Sequence, residues 1–366
     1  AAAAVLLGAP LLAARRSAQA PLVSAAAAAV ERGMIFEDAA TLELAGRSSV
    51  AVFCTRGTVT RGRPEIVEVT ALGDEDPARL IGLAAAAETC DRTHPIANAI
   101  CRHAESKGIR LPAVRRALQV PGRGLTALGP KGEELVIGNR RLLLDEGVSV
   151  ALADTEAAHA ELRGHSVVFV GIGGRVRGIL ALQDDVRAGA RAAVQRVFDL
   201  HIEVVLISGD HRATAEAVAQ ALDISHLKAD LLPEERAAEV RRLREGGHTV
   251  AAIGRAIHDD STLGQADVPI VLGAAGAPAG ERGIALTSLD VRDGTGALWI
   301  AHAARSAAWR GLSLVLASGA TLMTLAAIGL IGPGIAAALT LALDAFTLPA
   351  GNRLLRRIQL RIPVRG

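Results

Sequence analysis

Residues 50–64 read VAVFCTRGTVTRGRP, a short apolar run followed by a polar turn rich in Gly and Thr. The run predicts a buried strand that ends at Phe53, with Cys54 exposed at its tip. Such a position suits a nucleophile, because chemistry in parallel sheets collects at the carboxyl ends of the strands. Two interpretations of Cys54 follow: a reactive thiol, or a site that has lost its chemistry.

The composition narrows the class of protein. Lys plus Arg (40) nearly balances Asp plus Glu (38), and no basic stripe interleaves with aromatic residues, so nothing indicates a nucleic-acid partner. Aromatic residues make up only 2%, so Ala, Leu, Val and Gly must build the core. The three cysteines form no CxxC pair and no disulfide framework, which favours a reducing compartment.

The middle of the chain alternates predicted strands and helices. The strand segments include VEVTALG, HSVVFVGIGGRVRGILAL, HIEVVLISGD, TVAAIG and VPIVLG, and the helical ones DDVRAGARAAVQRVFDL, HRATAEAVAQAL and PEERAAEVRRLREGG. This order predicts an α/β fold with a parallel sheet and helices on both faces. Residues 67–165 interrupt the order and predict a separate inserted domain. Cys54, Asp210 and Asp259 fall at or just beyond strand ends.

Both ends of the chain are apolar. Gly311–Ile331 carries no charge and is long enough to cross a membrane, GPG at 332–334 predicts a turn, and the next segment is apolar except for Asp344. The two apolar segments form a predicted transmembrane hairpin, and the arginines on both of its flanks place both flanks in the cytoplasm. The alternative is a helical hairpin buried in a soluble protein. Residues 1–34 predict part of another transmembrane helix, with a signal-peptide cleavage region as the alternative. Ala at position 1 predicts a piece of a longer chain or a processed product.

The opening stretch resembles a known motif when it is read beside two later ones. CTRGTVTRGRP is similar to DKTGT followed by LTxGxP, the phosphorylation motif of heavy-metal-transporting P-type ATPases, with Cys54 in place of the aspartate. ISGDHRATAEAVAQALDI resembles the TGD motif of that family, with Ser208 in place of Thr. The framing residues that match in the first motif are Gly57, Thr58, Thr60, Gly62 and Pro64.

Three further segments extend the resemblance. LQDDVR supplies Asp184 and Arg187 of a D-x-x-R pair, and in LLPEER Arg236 stands for the family's Lys. GRAIHDDSTL stands where the family has GDGINDAPAL, so Arg255 replaces the first Asp and Asp259 alone survives of the acidic pair. The catalytic set implied by the resemblance is Cys54, Thr58, Ser208, Gly209, Asp210, Arg236 and Asp259.

The inserted region resembles the family's nucleotide-binding domain. HPIANAI carries the His-Pro motif of the heavy-metal branch, PGRGLTALG a G-x-G, and VIGNRRLL a further glycine. The resemblance implies an ATP site with His94 at the adenine and Gly122, Gly124 and Gly138 letting the backbone approach the nucleotide. The family's Glu, five residues before the His, falls at Thr89, with Glu88 one position further back.

The resemblance implies a haloacid-dehalogenase-like parallel sheet with an inserted α+β nucleotide-binding domain and transmembrane helices at both ends. The implied parts are a partial transmembrane region (1–34), the phosphorylation domain (35–66 and 166–300), the nucleotide-binding domain (67–165), and a transmembrane hairpin with a basic cytoplasmic tail (301–366). The actuating domain and the first membrane helices of the family lie outside these 366 residues.

The chemistry expected of this chain departs from that of the family. Cys54 and Arg255 replace two carboxylates. Hard Mg²⁺ prefers oxygen ligands, and Asp259 alone remains as a candidate ligand, so the sequence does not favour Mg²⁺ binding. We expect Arg255 to pair with Asp210 or Asp259, or to hold a phosphate without metal. Asp344 either lies on an ion path or packs against a neighbouring helix.

The sequence therefore predicts a degenerate, ATP-binding relative of the heavy-metal ATPases in the cell membrane, unable to form the aspartyl-phosphate. Its expected partners are the membrane and an intact P-type ATPase or a missing actuator domain. One alternative is an active cation pump that uses another carboxylate or another ion. A soluble phosphatase of the same fold is a third hypothesis, which the missing nucleophile and the membrane hairpin oppose.

Overall fold

The computed structural model describes residues 9–91, 94–274, 283–347, 349, 353–354, 356 and 358. The helices, in chain order, are α1 (Leu11–Val30), α2 (Ala39–Ala45), α3 (Pro77–Glu88), α4 (Pro95–Ser106), α5 (Arg140–Asp145), α6 (Asp154–Leu162), α7 (Ala190–Phe198), α8 (Arg212–Ala221), α9 (Pro233–Glu245), α10 (Ala256–Leu263), α11 (Val291–Ala327) and α12 (Pro333–Thr347). The strands are β1 (Met34–Phe36), β2 (Val50–Cys54), β3 (Glu65–Ala71), β4 (Arg115–Val120), β5 (Gly124–Leu128), β6 (Glu134–Gly138), β7 (Ser166–Ile172), β8 (Arg175–Gln183), β9 (Glu203–Ile207), β10 (His226–Lys228), β11 (Val250–Gly254), β12 (Val268–Leu272) and β13 (Ile284–Leu286).

A seven-stranded sheet in the order β1-β13-β12-β11-β2-β9-β10 forms the centre of the molecule. Every pair in it is parallel except β1 with β13. All residues of β2 and β11 are buried, which explains their continuous apolar sequences, because both faces of a parallel sheet are covered. This sheet confirms the α/β expectation and places β2 between β9 and β11.

A second sheet, antiparallel and six-stranded, has the order β3-β8-β7-β6-β5-β4. Helices α3 and α4 pack on it around a core that includes Leu80, Ile100, Leu125 and Val170. Strands β7 and β8, which we expected in the surrounding phosphorylation domain, pair inside this sheet instead. The reason is local: β7 and β8 form a hairpin through Gly173 and Gly174, and β8 also pairs with β3 at the entry to the insertion.

One helix of the described residues, α11, is long and apolar enough to cross a membrane. It begins at Val291, well before the expected Gly311, because its first turns pack on the parallel sheet through Val291, Leu298 and Ile300. A turn at residues 328–332 leads to the shorter apolar helix α12. The turn lies just before the expected GPG at 332–334, because Pro333 begins the helix instead, at a first-turn position where its missing N–H costs nothing. The end of the basic tail, residues 359–366, lies outside the described residues.

Helix α1 lies along α11, and small residues allow the close approach. A Cβ placed on Gly319 would lie 2.5 Å from Cδ of Pro10, and one on Gly311 would lie 2.9 Å from Cβ of Ser17. Small residues of this kind let helix backbones approach in membranes. Helix α1 has 20 residues but is less apolar than α11, and residues 1–8 lie outside the described residues. A spanning role for the N-terminal end therefore stays a prediction.

Candidate functional site

Three adjacent parallel strands bring the predicted catalytic residues together at one edge of the sheet. Cys54 is the last residue of β2, Ser208 and Asp210 follow β9, and Asp259 lies in the first turn of α10 after β11. Because β2 pairs with both β9 and β11, their carboxyl ends meet there. Gly209 is exposed in the turn between Ser208 and Asp210.

Cys54 is a buried, neutral thiol rather than an exposed nucleophile. Its side chain is 0% exposed and hydrogen-bonds to Asp259. Burial raises the pKa of the thiol well above its ordinary value, and the carboxylate of Asp259 adds to the rise, although Arg236 opposes it. Reactive cysteines have a lowered pKa and a path to solvent, so the geometry favours the inert interpretation of Cys54.

Two arginines hold the carboxylates that flank Cys54. Nη2 of Arg56 lies 2.5 Å from Oδ1 of Asp210, and Nη1 of Arg236 lies 2.9 Å from Oδ1 of Asp259. We expected Arg255 to take one of these carboxylates, and that expectation is wrong. Arg56 lies on the loop beside β9, and Arg236 lies on α9 beside α10. These positions bring Arg56 to Asp210 and Arg236 to Asp259, so Arg255 does not form the ion pair.

Hydroxyl groups complete the contacts of Asp210. Ser166 donates to Oδ1 at 3.0 Å, and Ser208 donates to Oδ2 at 3.2 Å. The side chain of Asp210 is therefore bound on both oxygens by residues of this chain. Ser166 was not among the predicted site residues, and no local signal could have revealed it, because it lies in β7 and is brought near Asp210 only by the fold.

The loop after Cys54 is fixed by the D-x-x-R pair. Asp184 accepts hydrogen bonds from the Thr60 hydroxyl at 2.6 Å and from the backbone N–H of Gly62 at 3.1 Å. Arg187 donates to the carbonyls of Thr60 at 2.8 Å and Gly57 at 3.0 Å. Asp184 and Arg187 thus bind backbone groups of the loop and fix its shape. Gly57, Thr60 and Gly62 are held in this way whichever residue stands at position 54.

Arg255 lies across the same loop. A Cβ placed on Gly57 would lie 3.0 Å from Cδ and 3.5 Å from Nη1 of Arg255. Burial, and next the positive charge of Arg255, lower the pKa of Arg187. Thr58, the residue after Gly57, is fully buried, and its hydroxyl has no hydrogen-bond partner among the described residues.

The residues at this edge do not fit the Mg²⁺ ion that the family resemblance implies. Mg²⁺ requires near-octahedral oxygen coordination, whereas here a neutral thiol takes the acceptor position and arginines bind Asp210 and Asp259. Displacing Arg236 to free Asp259 would leave that guanidinium without its carboxylate. The described residues contain no group of three His, Cys, Asp or Glu side chains that could hold a metal ion.

Two glycines of the predicted nucleotide site, Gly124 and Gly138, are required by the packing of the sheet itself. Gly124 pairs directly with Gly138 across β5 and β6. A Cβ on Gly124 would lie 2.1 Å from the carbonyl oxygen of Ile137, and one on Gly138 would lie 2.2 Å from that of Arg123. Close approach of two strands, rather than of a ligand alone, requires both residues to be glycine.

The remaining nucleotide-site residues occupy different positions. Gly122 has a φ of 71° and faces the first turn of α9, where a Cβ would lie 2.9 Å from Cδ of Pro233. Gly122 thus lies between the antiparallel sheet and α9, which packs beside the parallel sheet. His94 is exposed at the N-cap of α4. Glu88 is 7% exposed and is the last residue of α3.

Asp344 is the predicted carboxyl of the membrane hairpin. It lies on α12, is 9% exposed, and its Oδ1 has no hydrogen-bond partner among the described residues. Helix α12 packs against both α1 and α11. An unsatisfied buried oxygen does not distinguish an ion-path residue from one that packs helices, so both interpretations remain open.

A family model and two curated relatives match the sequence of this chain. The model of the haloacid dehalogenase-like hydrolases matches residues 56–267. The copper-transporting ATPase 2 of Rhizobium meliloti is 36% identical over 245 residues, which cover 67% of this chain and 29% of the relative. A copper-exporting P-type ATPase of Staphylococcus haemolyticus is 30% identical over 333 residues, covering 91% of this chain and 41% of the relative. The chain thus spans less than half the length of these relatives.

Two solved structures share the fold, and the first also shares sequence. A zinc-transporting PIB-type ATPase in the E2.Pi state superposes with a TM-score of 0.64 at 27% identity, covering 94% of this chain and 56% of that one. The catalytic domain of the CPx-ATPase CopB-B superposes with a TM-score of 0.58 at 21% identity, covering 74% and 96% respectively. The chain belongs to the haloacid dehalogenase-like hydrolase family and, within it, is related to the heavy-metal-transporting P-type ATPases.

Proposed function

We propose that this chain is the phosphorylation and nucleotide-binding part of a heavy-metal P-type ATPase-like membrane protein that does not form an aspartyl-phosphate. One observation carries the proposal: the acceptor position holds Cys54, fully buried and hydrogen-bonded to Asp259. A neutral thiol at that place supplies neither the acyl phosphate nor the metal ligand on which phosphoryl transfer of this kind depends.

The competing proposal is an active cation pump that uses another carboxylate. Asp210 and Asp259 are the candidates, since both lie at the same sheet edge as Cys54. Their ion pairs with Arg56 and Arg236 oppose this reading, because an attacking oxygen would first have to leave its guanidinium. Asp184 is occupied as well, by hydrogen bonds from Thr60 and from the backbone of Gly62 and Arg63.

ATP binding by the inserted region is a second part of the proposal. The His-Pro motif at His94 and the G-x-G at Gly122 and Gly124 support it, together with relatives that are named as ATPases. From the sheet pairing we place this domain at residues 65–183, wider than the expected 67–165. The phosphorylation domain then comprises residues 35–64 and 184–300.

The membrane part of the proposal rests on α11, α12 and the arginines around them. We place the protein in the cell membrane with α11 and α12 as a hairpin, and with the soluble domains and the C-terminus in the cytoplasm. Its proposed partners are an intact P-type ATPase or a separate actuator domain. The similar proteins include a copper-transporting and a zinc-transporting ATPase, so the proposal covers a heavy-metal cation without choosing between the two.

The test is acid-stable labelling of the full chain by γ-labelled ATP, with Mg²⁺ and with added copper or zinc ions. We expect no label on the wild-type chain, and none on Asp210→Asn or Asp259→Asn. Label that disappears in either variant would establish the competing pump. Binding of labelled ATP is measured on the same samples by filtration, so that loss of nucleotide binding is not mistaken for loss of phosphorylation.

A further inference from the structure

Arg255, at the edge of the parallel sheet, has no counter-ion among the described residues. Its side chain is half-buried, and no carboxylate of the described residues lies within the 4.0 Å ion-pair distance of its guanidinium. Nη1 would lie 3.5 Å from a Cβ on Gly57 and 3.9 Å from one on Gly62, so the guanidinium covers the loop that follows Cys54. A partly buried charge without a partner is costly, and a bound anion would offset that cost.

The neighbouring charges leave this edge positive, because four arginines (Arg56, Arg187, Arg236 and Arg255) outnumber three aspartates (Asp184, Asp210 and Asp259). Arg56 and Arg236 neutralise Asp210 and Asp259, so these carboxylates do not compensate Arg255. Arg187, the nearest other guanidinium, donates to the carbonyls of Gly57, Thr60 and Arg61 and keeps its charge. Asp185 pairs with Arg61 at 3.6 Å, on the outer side of the loop.

Hydrogen-bond donors suited to an oxyanion are present on the same loop. The guanidinium of Arg255 is a planar fork whose parallel N–H groups match two oxygens of a tetrahedral anion. The hydroxyl of Thr58 is fully buried and has no partner among the described residues. Gly57 adopts a φ of 75° and carries no side chain, which leaves room for the Arg255 side chain to pass close to its Cα.

We propose that this edge binds a phosphate-class oxyanion through Arg255 without any metal ion. The guanidinium of Arg255 is then the positive charge that an anion meets at this edge. The anion is either free inorganic phosphate or the terminal phosphate of a nucleotide. The proposal does not depend on ATP binding by the inserted domain, because inorganic phosphate alone tests it.

The experiment is thermal unfolding of the full chain in detergent with EDTA, titrated with phosphate against chloride of equal ionic strength. We expect phosphate to raise the melting temperature, and Arg255→Ala to weaken the apparent affinity at least about tenfold. Arg63→Ala is the matched control: it removes one exposed positive charge from the same loop, and it should keep the response. Arg255→Gln serves if Arg255→Ala does not fold.

Three outcomes overturn the proposal: no phosphate response in the wild-type chain, a response that requires Mg²⁺, or a full response in Arg255→Gln. A second arm separates the two sources of the anion. ATP and AMP are compared in EDTA with the wild-type chain and with Arg255→Ala. A nucleotide phosphate at Arg255 predicts weaker binding of ATP and unchanged binding of AMP in the variant, whereas free phosphate predicts no change for either nucleotide.

Discussion

The loop after Cys54 and the β5–β6 hairpin of the inserted domain both bring two glycines into contact. A Cβ on Gly62 would lie 2.6 Å from Cα of Gly57, and one on Gly124 would lie 2.5 Å from Cα of Gly138. In both regions the backbone has the close packing that the motifs demand. At the sheet edge, however, the side chains around that backbone differ from those of the motif, with Cys54 and Arg255 where carboxylates are needed.

A glycine that matches a motif indicates the geometry of the backbone, whereas a matching polar residue indicates the chemistry of the site. Asp184 and Arg187 hold the first loop by its own backbone groups, so the loop keeps its shape whatever stands at position 54. Gly124 and Gly138 keep each other in place within a sheet. Retention of either glycine pair therefore supports the fold more strongly than it supports binding or catalysis.

The largest effect is expected from Gly124→Val. The new Cβ would overlap the carbonyl of Ile137, at 2.1 Å, and the φ of 141° is one that L side chains rarely adopt. We expect a loss of about 4 kcal/mol of stability, measured by chemical unfolding of the chain followed by circular dichroism. Loss of nucleotide binding in this variant would reflect a disrupted sheet, so His94→Ala, at an exposed position, is the better probe of the nucleotide site.

Gly132→Val is the matched control for Gly124. It also has a positive φ, of 79°, but no atom lies within 4 Å of its Cβ position. We expect it to cost about 1 kcal/mol, from the backbone conformation alone. Equal losses at the two positions would show that strand contact does not explain Gly124, and the comparison between the two glycine pairs would fail.

A smaller loss is expected from Arg236→Ala. This change removes the guanidinium that pairs with Asp259, which is 2% exposed and lies against Cys54, and loss of one member of a buried ion pair typically costs about 3 kcal/mol. Arg244→Ala is the control, because Arg244 forms a pair of the same 2.9 Å length with Asp267 but is 40% exposed, and should cost about 0.5 kcal/mol. Similar melting temperatures for the two variants would contradict the placement of Arg236 at the site.

The fold was predictable where the sequence signal is local. The apolar runs at β2, β9, β11 and β12 predict buried parallel strands, and all four occur. The helix expected over residues 184–200 begins only at Ala190, because Gly189 adopts a φ of 88° and Asp184 and Arg187 bind the loop after Cys54. The membership of β7 and β8 could not be read from their sequences, since apolar strands look alike in either sheet.

The position of the candidate site was predictable from the sequence, but the ion pairs between its arginines and carboxylates were not. Strand ends predict that Cys54, Asp210 and Asp259 converge, and they do. Which arginine binds which carboxylate depends on how the loops and α9 are placed in space, and Arg56 and Arg236 bind where Arg255 was expected. The burial of Cys54 follows from contacts across the sheet edge, which no local pattern encodes.

The smallest effect concerns pH. Because burial raises the pKa of Cys54 above its ordinary value of 9.0, the folded chain keeps this thiol neutral where the unfolded chain ionises it. The stability from the neutral thiol is complete below pH 9.0 and is lost as the pH rises further. The difference in unfolding free energy between the wild type and Cys54→Ser should therefore fall by about 1 kcal/mol per pH unit above that point.

The control for this pH dependence is Cys90→Ser, because Cys90 is exposed and its substitution should leave the pH profile unchanged. Unfolding free energies at about pH 8 and about pH 10.5 are sufficient for the comparison. A profile for Cys54→Ser parallel to that of the wild type would show that the thiol is not buried as described, and Cys54 would again be a candidate nucleophile.

The central claim is that the sheet edge does not bind Mg²⁺, because Cys54 and Arg255 stand where the family's motifs have Asp. Calorimetric titration of Mg²⁺ into the wild-type chain and into Cys54→Asp with Arg255→Asp tests it most directly. We predict no saturable heat for the wild type, little for Cys54→Asp alone, and saturable Mg²⁺ binding for the double variant, which restores two oxygen ligands. Saturable binding by the wild type that is lost in Asp259→Asn would contradict the account.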